Sequence, residues 1–196
     1  MKKVVFLLLC VGIYFACGYK KPATWRGLPA PADPLQTNDK LPPPFNHGDF
    51  VITPLARYSI TAVVLARERY RFDDGAVLSP LDLALGWGSM SIAGVINDLQ
   101  MSQGGRFYEY QWKESSPLEL DQIISHSANT HCLPANAKVR RQLLSVNRHD
   151  LVTMEGYLVE ARGPNGSIWR SSLTRDDSGG GACEVMWVTS CSSHRL

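Results

Sequence analysis

The side chains best suited to chemistry crowd into residues 123–136, IISHSANTHCLPAN, which hold two histidines, two asparagines, two serines, a threonine and a cysteine. An activated nucleophile here would pair His131 with Ser127 or with Cys132. The base must then lie within about 3 Å of the nucleophile, with a third group such as Asp150, Asp176 or Asp177 orienting the imidazole. Neither pair carries a Gly-x-Ser-x-Gly elbow or a recognisable protease context. A metal site would draw His126 and His131 together with His149 and Asp150. However, two histidines five apart without an intervening glutamate match no common zinc pattern, so neither metal nor cofactor is expected. A ligand site would instead use Asn129 and His126, with Trp87 from a Gly-Trp-Gly and Arg175 from a distant loop.

Two further stretches offer binding chemistry. Tyr108, Tyr110 and Trp112 fall on one face of a strand and can form an aromatic platform or, more simply, a core face. The loop from Arg175 to Gly181 holds two aspartates and a glycine run. A strand rather than a helix follows it, so it lacks the N-terminus a phosphate cradle needs and reads as a solvated hairpin loop.

The elements that must position these residues alternate between strands and short helices. Residues 57–72 are rich in β-branched and aromatic side chains and read as a long strand. Ser79-Pro80 and Ser91 are placed to cap short helices, and Ser116-Pro117-Leu118-Glu119 is a capping box with proline at the first position. Residues 106–113 form a further strand. Asn136 can cap a helix in which Val139, Leu143 and Val146 recur at helical spacing. Residues 151–161, 167–173 and 183–189 are strands, the first two joined by a Gly-Pro-Asn-Gly hairpin signal. The expected fold class is α+β, a small curved antiparallel sheet or partly open β-barrel with short inserted helices. Residues 123–136 then serve first as a polar connector between capped helices and second as a site.

The chain of 196 residues divides into four expected parts. Residues 1–17 carry Lys2-Lys3 and an apolar run too short to span a bilayer, as in a secretory signal. Ala16-Cys17-Gly18 resembles a lipoprotein cleavage site, with lipidation at Cys17; an uncleaved anchor and plain secretion are the alternatives. Residues 18–49, with seven prolines, read as an extended tether. Residues 50–191 form one globular domain and 192–196 a tail. Without Lys2 and Lys3 the chain carries 18 basic against 18 acidic side chains, which excludes the basic field of a nucleic-acid binder. Of the cysteines, either Cys132 pairs with Cys183 or Cys191, or all three are free thiols.

The motifs LALGWGSM (83–90), SANTH (127–131), WRSSLTRDD (169–177) and GACE (181–184) resemble an uncharacterised family of small anchored bacterial envelope proteins. The resemblance spans residues 50–188 and implies an extracytoplasmic, membrane-anchored domain on the periplasmic side of a bacterial membrane. It implies no activity. The expected function is a non-enzymatic binding or structural module of the envelope, held to the membrane by its N-terminus and meeting a protein partner or small ligand. The alternative is a hydrolase or acyl-transfer enzyme using His131.

Overall fold

A computed structural model describes residues 22–73, 75–112 and 114–196. The signal segment expected at residues 1–17, with the expected lipidation site Cys17, lies outside the described residues. The architecture is mixed α+β, with one large, mostly antiparallel sheet and few short helices. Its strands are β1 (Leu35–Thr37), β2 (Phe45–His47), β3 (Phe50–Arg69), β4 (Leu81–Gly86), β7 (Ser127–Pro134), β8 (Asp150–Arg162), β9 (Ile168–Arg170) and β10 (Glu184–Arg195). A separate ribbon pairs β5 (Gln100–Gly104) with β6 (Phe107–Gln111). The helices are α1 (Ala93–Asp98), α2 (Leu120–Ser125) and α3 (Ala137–Ser145), with a 3-10 turn at Gly88–Ser91.

The long strand β3 organises the sheet. One edge pairs with β4 and the other with β8, and the path β4–β7–β10–β8 returns to it. Among these, β7 and β10 alone run parallel. Proline lacks the N–H a ladder needs, and Pro54 accordingly sits where the β3–β8 register shifts. Gly156 lies at the tightest strand approach: a Cβ there would meet the Trp187 carbonyl oxygen at 1.9 Å.

Alternation along each strand sends side chains to two faces, and both faces are covered. The main core takes Ile60, Val64, Leu83, Cys132, Met154 and Met186. The opposite face of β3 and β4 is covered by α1, α2 and the ribbon through Val63, Leu65, Ile96 and Ile123. Elsewhere that face gathers Ile52, Leu78, Leu133, Val185 and Trp187. Burial on both faces explains why the strands read as nearly continuous apolar runs.

Several local expectations give way to this pairing. Ser79-Pro80 opens no helix, because Leu81–Gly86 is buried throughout between β3 and β7. The Ser79 hydroxyl donates to the Leu81 carbonyl instead. After the Ser116 box, α2 starts only at Leu120, and Ser116 donates to the Leu118 carbonyl. Residues 127–134 are a fully buried central strand rather than a connector. The proline-rich stretch is not free. β1 and β2 pair with β3, Ala23 exchanges hydrogen bonds with the Asn97 side chain, and Ala30 is buried. The final residues extend β10, with His194 opposite Leu151. Cys132, Cys183 and Cys191 are all free thiols. Other expectations hold. Asn136 accepts from the Lys138 and Val139 amides at the start of α3, and Glu160–Arg162 pairs with β9 across the 163–166 turn.

Trp87 is fully buried and belongs to the main core, so it presents no surface to a ligand. Trp87→Ala should lower unfolding stability by about 3–5 kcal/mol in urea titrations, the range for removing a buried aromatic side chain.

Candidate functional site

On β7 the side chains of Thr130 and Cys132 share one face, while Asn129 and His131 share the other. The second pair meets three elements. Register places Asp82 of β4 directly opposite His131, and Val185 of β10 on its other side. Cys183, just before β10, therefore comes level with Asn129, on the face that also carries His131.

A thiol, an imidazole and a carboxylate are gathered at this point. His131 Nδ1 lies 2.9 Å from Asp82 Oδ2. The Cys183 sulfur lies near enough to the same imidazole to favour its protonated form. Asn129 points its amide at the sulfur, with Nδ2 3.6 Å from Sγ. That amide is fixed from both ends, since Gln103 Nε2 donates to its oxygen at 2.6 Å and Nδ2 donates to the Arg106 carbonyl at 2.9 Å. The Trp169 ring packs on His131 with centroids 4.5 Å apart.

Asp82 is fully buried and therefore needs compensation for a lost hydration shell. Arg106 Nη1 contacts its Oδ1 at 2.9 Å, and the Ser79 hydroxyl shares its one proton between the same oxygen and the Leu81 carbonyl, 3.3 Å from each. The arginine is held in turn by both oxygens of Asp73 and by the Tyr70 ring, 3.6 Å from its guanidinium carbon. Burial pushes the His131 imidazole toward its neutral form. The Asp82 carboxylate and the Cys183 sulfur more than offset this, and its pKa is raised above the ordinary 6.5.

Cys183 is half-buried and, with Asn129, lines a cavity of about 230 Å³. Phe107, Tyr108 and Tyr110 form one wall, and Thr174, Arg175 and Ser178 another. Burial lifts the Tyr108 phenol to about 12, so it remains a neutral donor toward Ser127.

The structure separates the sequence candidates. His131 and Asn129 are at the thiol. Cys132 is fully buried on the opposite face, its thiol pushed well up by that burial, so it is no partner for His131. Ser127 lines the cavity but stands four residues along an extended strand, roughly 13 Å from His131. Its hydroxyl is spent on the Ile123 carbonyl. His126 closes α2, bonding to the Gln122 carbonyl and packing on Gly88. His149 packs against Trp25, and burial lowers it to about 4. The three histidines thus sit in three places. Among the described residues, no three His, Cys, Asp or Glu side chains are grouped to hold a metal ion. Arg175 faces the cavity, pairs with Glu184 and donates to Gln36. Asp82, Cys183, Arg106 and Trp169 were not candidates from sequence. A signal existed for the first: a lone aspartate in the apolar run LDLALG must find a cation if it is buried.

Comparison with protein-family models, curated proteins and solved structures found no match to this chain.

Iodoacetamide applied to the folded protein should label Cys183 and spare Cys132 and Cys191, since the latter thiols are buried and Cys191 is raised to about 11. Peptide mass mapping reads this directly. The His131 imidazole should titrate with a midpoint above pH 6.5 when followed by proton NMR. Asp82→Asn should move that midpoint down, because it removes one of the two groups that oppose burial.

Proposed function

We propose that this protein is a thiol-dependent acyl-transfer enzyme, a hydrolase when water is the acceptor, in which Cys183 is the nucleophile. The observation that carries the reading is a buried Asp82 carboxylate 2.9 Å from the His131 imidazole, next to a Cys183 thiol that lines an open cavity with the Asn129 amide 3.6 Å from its sulfur. His131 takes the Cys183 proton as Sγ attacks the acyl carbon. Negative charge forming on the acyl oxygen meets the Asn129 amide. His131 then gives the proton to the departing alcohol or amine, leaving a thioester on Cys183. Water, deprotonated by His131, attacks the thioester; the carboxylic acid leaves and the thiol is restored. Asp82 holds the imidazole in the tautomer and orientation these transfers need.

The architecture supports this placement. The returning path β3–β4–β7–β10–β8 fits a small five-stranded barrel with strands in the order first, second, third, fifth, fourth. In barrels of that plan, ligands bind on the second and third strands and the loops flanking them. Asp82, Asn129 and His131 occupy that face, and the β3–β4 and β8–β10 connections border it. The motif resemblance and the apolar N-terminal run favour an extracytoplasmic enzyme tethered to a membrane. A purely binding module has less to recommend it, because binding alone does not require a buried aspartate gathered with imidazole and thiol.

Incubation with p-nitrophenyl acetate should leave one acetyl group on Cys183, detected by mass spectrometry after acid quench. Cys183→Ala should abolish it, and His131→Gln should slow it by about 10²-fold or more, the usual worth of a general base. Acetylation that is indifferent to His131 would overturn the reading.

A further inference from the structure

The tip of the β5–β6 ribbon lies across the thiol, and its contacts have the form of a bound substrate. Asn129 Nδ2, the donor assigned to the acyl oxygen, already donates to a carbonyl, that of Arg106, at 2.9 Å. The Cys183 sulfur stands 3.9 Å from the same oxygen. An acyl group undergoing attack must bring its oxygen to this place, so the Arg106 carbonyl and a substrate carbonyl exclude each other.

The Arg106 side chain fills a second compartment beside the first. Its guanidinium is forked onto Asp73, reaches Asp82 Oδ1 and the Ser79 carbonyl, and lies between the rings of Tyr70 and Trp169. None of these groups belongs to the ribbon. They come from the residues after β3, from β4 and from β9, so the compartment persists when the ribbon tip leaves. Two acids and two aromatic faces are what a planar cation requires.

The ribbon is also built to be displaced. It pairs only with itself and adds no strand to the main sheet. Gly105 and Arg106 turn the chain at φ 57° and 71°, and the second value is unfavourable for a residue with a Cβ. The tip is held by the arginine side chain and by polar contacts of the Arg106 backbone with Tyr70 and Asn129. Attack on its own carbonyl would be unproductive, because the departing amide belongs to Phe107, which the ladder holds opposite Gly104.

We propose that Arg106 is a pseudosubstrate, and that the natural acyl donor carries an arginine-like cationic side chain next to its reacting carbonyl. This rests on the acyl-transfer reading and names its substrate class. On binding, the donor's cation takes the compartment of Asp73, Tyr70 and Trp169. Its carbonyl takes the Asn129 amide, its remaining part enters the 230 Å³ cavity, and the ribbon tip moves off.

The test compares three donors on the full chain: p-nitrophenyl esters of Nα-acetyl-arginine, Nα-acetyl-leucine and acetic acid. The readout is the rate of thioester formation on Cys183. Arg106→Ala empties the compartment, and the arginyl donor should then outpace the leucyl donor by about tenfold or more, as expected for a paired cation against an apolar group. Adding Asp73→Asn to that variant should remove most of the preference. Should Arg106→Ala not fold, Asp73→Asn alone loosens the tip from an exposed position. It should speed acetylation by p-nitrophenyl acetate several-fold, as expected when a competing internal ligand weakens. Equal arginyl and leucyl rates in Arg106→Ala, with p-nitrophenyl acetate still acylating Cys183, would overturn the pseudosubstrate alone. An unchanged acetylation rate in Asp73→Asn would do the same. Failure of every donor to acylate Cys183 in any form would overturn the acyl-transfer reading beneath it.

Discussion

The buried carboxylate of Asp82 is the constraint on which the rest depends. A charge taken out of water and left unpaired is destabilising by several kcal/mol, so every neighbour of Asp82 is answerable to it. One oxygen is committed to Arg106 and Ser79, the other to His131. These three partners come from the β5–β6 ribbon, the β3–β4 connection and β7. A single carboxylate thereby fastens the ribbon to the sheet and sets the imidazole in place. Remove it, and the cation stack on Tyr70 and the His131–Cys183 contact both lose their reference point.

That arrangement needs a sheet in which both faces are covered but one is covered incompletely. The main core is closed by aliphatic side chains and carries the buried Cys132. The opposite face of β4 and β7 is roofed by a ribbon held through polar contacts, which leaves a cavity at its margin. Polar side chains on β7 survive there because each finds a partner: Ser127 the Ile123 carbonyl, Asn129 the Arg106 carbonyl, His131 the Asp82 carboxylate. Two thiols near each other in sequence, Cys183 just before β10 and Cys191 on it, illustrate the contrast. One faces the cavity, and the other is buried in the main core.

What the sequence made legible was local. The Asn136 cap, the hairpin at 163–166 and the shared face of Tyr108, Tyr110 and Trp112 depend on neighbours a few residues away, and they stand as expected. The strand Ser127–Pro134 was hidden by its composition. Alternating polar side chains and a proline resemble a loop until their partners are known, and those partners are dozens of residues distant. Ser79-Pro80 failed for the converse reason: a sound helix start yielded to two flanking strands that bury Leu81–Gly86. His131 and Asn129 were legible as reactive types. Cys183 was not legible as their partner, because spacing does not disclose that β10 runs parallel to β7.

That parallel pairing bears on the order in which the molecule can be assembled. Antiparallel neighbours can form by folding back, whereas a parallel pair must wait for the chain between them to cross over. Here the crossover contains α3, β8 and β9, and β8 must itself meet β3, laid down about a hundred residues earlier. Pairings so remote in sequence close slowly. Asp82 and His131 can therefore come together through the antiparallel β4–β7 pair alone, but the Cys183 thiol reaches the imidazole only when β10 joins β7. Closure of this site thus coincides with the pairing of β10 onto β7.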